Sequence, residues 1–165
     1  MKHFKNFKTC VYCTAQTLAS LDETTLARDY AYLEKYVGID KVYLETYRDG
    51  TWVAIDHMKM IQNFFKEHGV EIAGGITAVT PPLEKDDAKR QRLFQTFCYS
   101  NETMRTYLKK IVTYTAELFD EIILDDFFFT SCTCDDCLRE RSNLSWAEFR
   151  SKKMIDGAEN LVLKP

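Results

Sequence analysis

Apolar residues recur along this chain in two rhythms that take turns. Four short runs rich in β-branched and aromatic residues read as buried strands: KTCVYCTA (8–15), KVYLETY (41–47), VEIAGGIT (70–77) and EIILDDF (121–127). Between the first two, Leu26, Tyr30, Leu33 and Val37 follow helical spacing, and Gly38 offers a left-handed stop. The next segment, DHMKMIQNFFKEHG, sets Met58, Ile61 and Phe65 on one face with Gly69 as its stop, a stripe that reads as core packing rather than a cofactor box. A third helix aligns Met104, Leu108, Ile111, Thr115 and Leu118 behind an N-cap at Ser100 or Asn101. A fourth opens at Ser145, where Glu148 has the spacing of a capping box, and a short NLVLKP follows it. Strand and helix in alternation are the mark of βα units on a parallel sheet, so the expected class is α/β with parallel βα repeats, one domain over residues 1–165.

In such a sheet the loops that follow strands gather at its carboxyl end, where ligands bind. Residues 78–99, the longest irregular stretch, should meet TYRDGTW (46–52) and the cysteine-rich loop there. Asp49-Gly50 within the second of these is a turn signal.

Charge narrows the partners. The formal net charge is −3, and Lys and Arg are scattered among Asp and Glu, so nothing is built to follow a phosphate backbone and no nucleic acid is expected. No apolar run approaches the length of a membrane span, and no membrane partner is expected. The basic opening MKHFKNFK is followed by a stretch broken by Thr14, Gln16 and Thr17, a poor signal-peptide core. The expected compartment is the reducing cytoplasm, where the six cysteines would be free thiols or metal ligands.

CTCDDC supplies Cys132, Cys134 and Cys137 in a C-x-C-x2-C spacing, able to bring three thiolates around one ion at about 2.3 Å. A closed tetrahedral site needs a fourth ligand, and Cys98, just ahead of the third helix, is the candidate. Zinc, structural, is the expected cofactor; a redox pair or ordinary buried thiols are the competing readings. His3, His57 and His68 lack such spacing and read as surface residues, while Cys10 and Cys13, within a strand, read as buried ones.

The segment FQTFCYSNETMRTYLKKIV, then a strand ending in a polar pair, then CTCDDCLRERSNLSWAEFRSKKM, resembles the zinc-containing β-galactosidases of the large retaining glycoside hydrolase clan. The resemblance is at motif level over residues 94–154 and implies a structural zinc on the four cysteines. It also implies a general acid/base at the end of strand four, where the family has an Asn-Glu pair and this chain has Asp125 and Asp126. The barrel of such enzymes takes about 250 residues, whereas about four βα units are legible here, with LVLKP as the approach to a fifth strand. The expected architecture is therefore roughly half of a (β/α)8 TIM barrel, the N-terminal half.

Retaining hydrolysis needs two carboxyl groups about 5–5.5 Å apart. Adjacent Asp125 and Asp126 point to opposite faces of a strand, so Asp126 is the acid/base candidate and Asp125 its hydrogen-bonding neighbour. Glu45, Tyr47 and Arg48 end strand two with an acceptor, an aromatic and a forked donor where a sugar would lie. Tyr47, Trp52, Phe127 and Phe128 could stack on a sugar or simply pack. The expected function is the acid/base side of a glycoside hydrolase-like site with a carbohydrate partner, inactive alone. The alternative is a non-catalytic carbohydrate-binding or structural zinc module, associating through open barrel edges as a homodimer.

Overall fold

The structure, a computed structural model, describes residues 4–81, 91–125 and 129–164. Its elements run β1 (Cys10–Cys13), α1 (Ala15–Ser20), α2 (Glu23–Tyr36), β2 (Lys41–Arg48), β3 (Thr51–Trp52), α3 (Ile55–Glu67) and β4 (Glu71–Thr77). After a 3-10 turn at Leu93–Gln95 come α4 (Glu102–Ala116), β5 (Ile122–Asp125), α5 (Asp135–Arg141) and α6 (Trp146–Gly157), which passes into a π-helical turn, Ala158–Val162. Four strands lie side by side in the order β1-β2-β4-β5, all parallel, and β3 folds back on β2 as a short antiparallel hairpin. Parallel neighbours in chain order are what a βα barrel requires, and the α/β architecture is that of a partial barrel.

Local chemistry sets the element ends. Asp22 and Thr25 form a reciprocal capping box for α2, and Ser145 with Glu148 does the same for α6. Gly38 and Gly69, at φ of 74° and 72°, turn the chain out of α2 and α3 in a conformation that costs a side-chain-bearing residue. Asp49 and Gly50, at φ of 44° and 86°, make the tight turn from β2 to β3.

Alternation divides the sheet residues between two faces. Val42, Leu44, Ile76 and Leu124 lie on the helix-covered face, where the apolar core falls into two clusters. One joins Val42 and Leu44 to Leu26, Met58, Ile61 and Phe65; the other joins Ile76 to Leu108, Ile111, Phe97 and Phe149. The Met58, Ile61 and Phe65 stripe is core, as its spacing predicts. On the opposite face stand Tyr12, Tyr43, Glu45, Gly75, Thr77, Ile123 and Asp125, in register across the strands.

Four expectations need correction. The start of LVLKP is helical rather than extended: Leu161 is buried against α4, and Asp156, held by Arg105 at 2.6 Å and accepting from Asn160 at 2.7 Å, keeps the chain winding through Val162. Cys10 is exposed, because β1 is an edge strand and its Cys10 face has no covering layer; Cys13 is half-buried, and burial pushes its thiol up to about 11. The first strand is also shorter than predicted, because Thr14 caps α1 by accepting from Thr17. His57 is half-buried with Nε2 2.8 Å from the Leu18 carbonyl, His68 is exposed, and His3 lies outside the described residues.

Gly74 marks the tightest packing between sheet and helix. A Cβ there would stand 2.8 Å from Phe119 Cδ2 and 2.9 Å from Thr115 Cγ2. Gly74→Ala should therefore lower stability by about 1–3 kcal/mol, the usual cost of overpacking, read as a reduced urea midpoint at unchanged m-value.

Candidate functional site

The carboxyl ends of β1, β2 and β4 converge on one carboxylate. Glu45 is fully buried, and a buried charge persists only if it is paired and hydrogen-bonded. Its oxygens accept from Tyr12 Oη at 2.8 Å, from the Ala15 N–H at 2.6 Å, from Thr77 Oγ1, and from Arg48 Nε at 2.9 and 3.1 Å. Those donors come from β1, the first turn of α1, β4 and β2 itself. The outer edge of the Arg48 guanidinium remains about a quarter exposed and lies 3.9 Å from Asp125, whose carboxylate is half-exposed. Thr77 Oγ1 is also 3.5 Å from Asp125 Oδ2. Burial, with the Glu45 charge beside it, pushes the Tyr12 phenol above the ordinary tyrosine range, so Tyr12 stays a donor at neutral pH.

Two of the three polar residues predicted for strand two are thus at the mouth, in unequal roles. Glu45 is spent on internal bonds, and Arg48 is what it presents. Tyr47 is not presented at all. Alternation puts Thr46 on the helix face, where it meets Thr115 at 2.6 Å, but a register shift between Glu45 and Tyr47 breaks the pattern, so Tyr47 packs there too, on Trp52 and Tyr107 of the core. The Tyr47 hydroxyl donates to the Val79 carbonyl at 3.1 Å and accepts from the Gly50 N–H at 3.0 Å. Trp52 is likewise a packing residue, its indole N–H donating to Tyr107. Asp126, Phe127 and Phe128 lie outside the described residues.

Sequence reasoning missed Tyr12 and Thr77. The Gly74-Gly75 pair inside a strand was the available signal, since strand glycines mark close approach. A Cβ on Gly75 would meet Tyr12 Oη at 2.8 Å, so the tyrosine reaches over β2 only because Gly75 is bare.

The second constellation is the cysteine centre. Cys98, Cys132, Cys134 and Cys137 bring their sulfurs within 4.8 Å of one another, three of the four residues buried, and all six cysteines of the chain are free thiols. Cys98 Sγ is 3.6 Å from both Cys134 and Cys137 Sγ, and Cys134 is 3.8 Å from Cys137. Sulfurs about 2.3 Å from a tetrahedral ion stand about 3.8 Å apart, so the donor set fits a metal of zinc's size and softness. Hydrogen bonds from Cys137 and Cys98 hold the Cys132 thiol well below the usual range, and contact with Cys132 in turn raises Cys98 and Cys137. Four thiols so packed cannot all ionise without a cation. Their frame is tied locally: Asn101 caps α4 and also donates to Asp136 of α5 at 3.1 Å, and the Cys98 N–H faces Met104 Sδ at 3.2 Å. Cys134 itself is the N-cap of α5, a helix hidden from sequence reading inside the cysteine loop.

With this geometry in hand, likeness to known proteins adds a family. The model of the family described as "Probable glycosyl hydrolase, catalytic domain" matches residues 1–165. The chain belongs to that family. It is similar to an uncharacterized protein of Saccharolobus solfataricus, 32% identical over 98% of this chain, and it spans about 30% of that relative's length. No solved structure matches the chain. Among the described residues, no helix of this glycosyl hydrolase-family chain is long and apolar enough to cross a membrane.

The Glu45 hub can be tested directly. Glu45→Gln keeps the volume but removes the charge that Arg48 faces and turns acceptors into a donor beside the Ala15 N–H. It should cost about 1–3 kcal/mol, measured by denaturant unfolding. Tyr12→Phe, which deletes one of several donors, should cost less, about 1 kcal/mol.

Proposed function

We propose that this chain forms βα units of a glycoside hydrolase-like barrel, supplying the acid/base side of a sugar site and a structural zinc centre. The observation that carries this reading is the arrangement at the carboxyl end of the sheet: a fully buried Glu45 fixing an Arg48 whose free edge faces Asp125. An arginine so held is a preorganised donor for sugar hydroxyls and a fixed positive charge beside a carboxylate pair. In this reading Asp126 protonates the leaving-group oxygen, Asp125 and Arg48 hold its surroundings, and the carbohydrate lies across the open face. Membership in the glycosyl hydrolase family supports the reaction class, and the four-thiol centre supports the finer likeness to zinc-containing β-galactosidases.

Cys98, Cys132, Cys134 and Cys137 would hold the zinc. With four protein ligands and no open position the metal is structural: it neutralises thiolates and locks the segments before α4 and after β5 together. Glu45 does not serve as the second catalytic carboxylate, since its oxygens are occupied within the fold. In this reading the nucleophile is supplied by a segment that pairs with the edges of β1 or β5, and full turnover needs that segment in place.

Purified protein should carry one zinc per chain by elemental analysis, a stoichiometry lost in Cys98→Ser and kept in Cys10→Ser. A chelator should lower the unfolding midpoint of the parent and not of Cys98→Ser. Metal-free protein of unchanged stability would remove zinc from the reading.

The catalytic part is tested with aryl glycosides. The 165-residue chain should give no more than trace turnover, because acid/base catalysis without a positioned nucleophile supplies only about 10²–10⁴-fold. In the longer protein, Asp126→Asn should depress hydrolysis most for substrates with poor leaving groups. Equal rates for Asp126→Asn and parent would assign Asp126 no catalytic part and favour the non-catalytic carbohydrate-binding module.

A further inference from the structure

The segment after β4 turns two apolar side chains outward from a frame that has room for others inside. Leu93 and Phe94 are 57% and 60% exposed, whereas Phe97 and Tyr99, a few residues on, are fully buried. The exposure is imposed by the backbone: Phe94 and Gln95 have φ of 52° and 55°, consecutive left-handed positions disfavoured for residues with a Cβ. Such a conformation survives only where its surroundings over-determine it, and here they do. The Leu93 N–H donates to Ser131 Oγ at 2.8 Å, the Gln95 carbonyl accepts from the Thr80 N–H at 3.1 Å, and buried Arg92 donates to the Thr96 carbonyl. Val79 and Thr96 form a β-bridge, and the neighbouring Ala78 N–H donates to the Asp125 carbonyl at 3.2 Å. The turn is therefore one backbone ladder away from Asp125, at the sheet end where Glu45 and Arg48 lie. Phe129, four residues past Asp125, meets Phe94 edge to face with ring centroids 6.1 Å apart.

We propose that Phe94 and Phe129 form a rigid aromatic platform on which the apolar C–H face of a pyranose ring stacks, flanking the Arg48 and Asp125 mouth. The proposal rests on the carbohydrate reading above and adds to it a binding surface and the sugar face it selects. An aromatic ring offers a negative face to polarised C–H bonds, and a ring already held outward loses little freedom when a sugar covers it. Two rings at right angles give one stacking face and one bounding edge, so one orientation of the sugar is preferred. The anchor residue Ser131 directly precedes Cys132, and Thr96 lies two residues before Cys98, so the cysteine centre braces both arms of the platform.

The test uses the full chain labelled with ¹³C in its phenylalanine rings and titrated with methyl β-glycopyranosides of glucose, galactose, mannose and xylose, with acyclic sorbitol as control. At least one glycoside, and not sorbitol, should shift the Phe94 and Phe129 ring signals while leaving Phe97 unmoved. Phe94→Gly suits the left-handed backbone and so keeps the fold; it should abolish the Phe129 shift and weaken binding about tenfold. Phe129→Leu should weaken it in the same direction. Glycosides that move backbone signals of Arg48 and Thr77 but neither ring would overturn the platform and leave the sugar-site reading standing; no perturbation at either place would remove both. If Phe94→Gly leaves glycoside binding unchanged but dissociates a dimer in sedimentation, the rings serve a second copy and the proposal is overturned.

Discussion

A charge with no access to water organises this fold. Glu45 sits in the interior of the sheet end, and each of its hydrogen bonds recruits a different element: β1 through Tyr12, α1 through the Ala15 N–H, β4 through Thr77, and the end of β2 through Arg48. A lone buried carboxylate would cost several kcal/mol, so those elements must arrive together or the charge cannot be kept. The same requirement explains Gly75, because Tyr12 reaches Glu45 only across a residue without a side chain. It also explains why Arg48 stands where it does. The arginine is held by two bonds to the carboxylate and keeps its far edge for Asp125 and solvent, so one interaction both ties the fold together and fixes the group that faces Asp125.

The bulge in β2 makes this division of labour possible. Up to Glu45 the strand alternates, apolar residues to the helices and polar ones to the open face. Past it, Thr46 and Tyr47 both engage α4, one through Thr115 and the other through Tyr107. Had the alternation continued, Tyr47 would have joined Glu45 on the open face and the core beneath Trp52 would have lost its largest ring. The bulge exchanges a possible ligand contact for packing, and returns Arg48 to the mouth after one residue.

How far the sequence reveals this depends on whether a feature is periodic. The four parallel strands, the helices between them and the capping residues Asn101 and Ser145 are written in period and composition, and they stand where the pattern puts them. The cysteine set was legible for a related reason: short spacing among three of its members restricts their geometry, and Cys98 needed only the inference that its segment and theirs share one sheet end. Tyr47 could not be placed from sequence, because a bulge leaves no mark in hydrophobic alternation. Tyr12 and Thr77 were invisible because their partner lies 33 and 32 residues away and nothing local distinguishes them from packing residues. LVLKP misled for the opposite reason: its apolar run suits a strand as well as a helical turn, and the tertiary pair Arg105–Asp156 decides the matter.

The cysteine centre and the Glu45 hub govern opposite halves of the sheet end, and that separation has a physical consequence. Glu45 ties β1, β2 and β4 with side chains of those strands, whereas the cysteines tie the chain before α4 to the chain after β5. The two systems meet at Thr77 and Asp125, where the β4 ladder runs into β5 and Thr77 lies within 3.5 Å of the Asp125 carboxylate. Were the four sulfurs to hold a metal, its removal would leave mutually repelling or protonated thiols and loosen the segments that carry them, while the hydrogen bonds to Glu45 involve none of those residues. Such a loss would act on the Asp125 side of the mouth and spare the Arg48 side. The arginine would stay positioned, and what would degrade is the placement of the groups that arrive on the two loops opposite it.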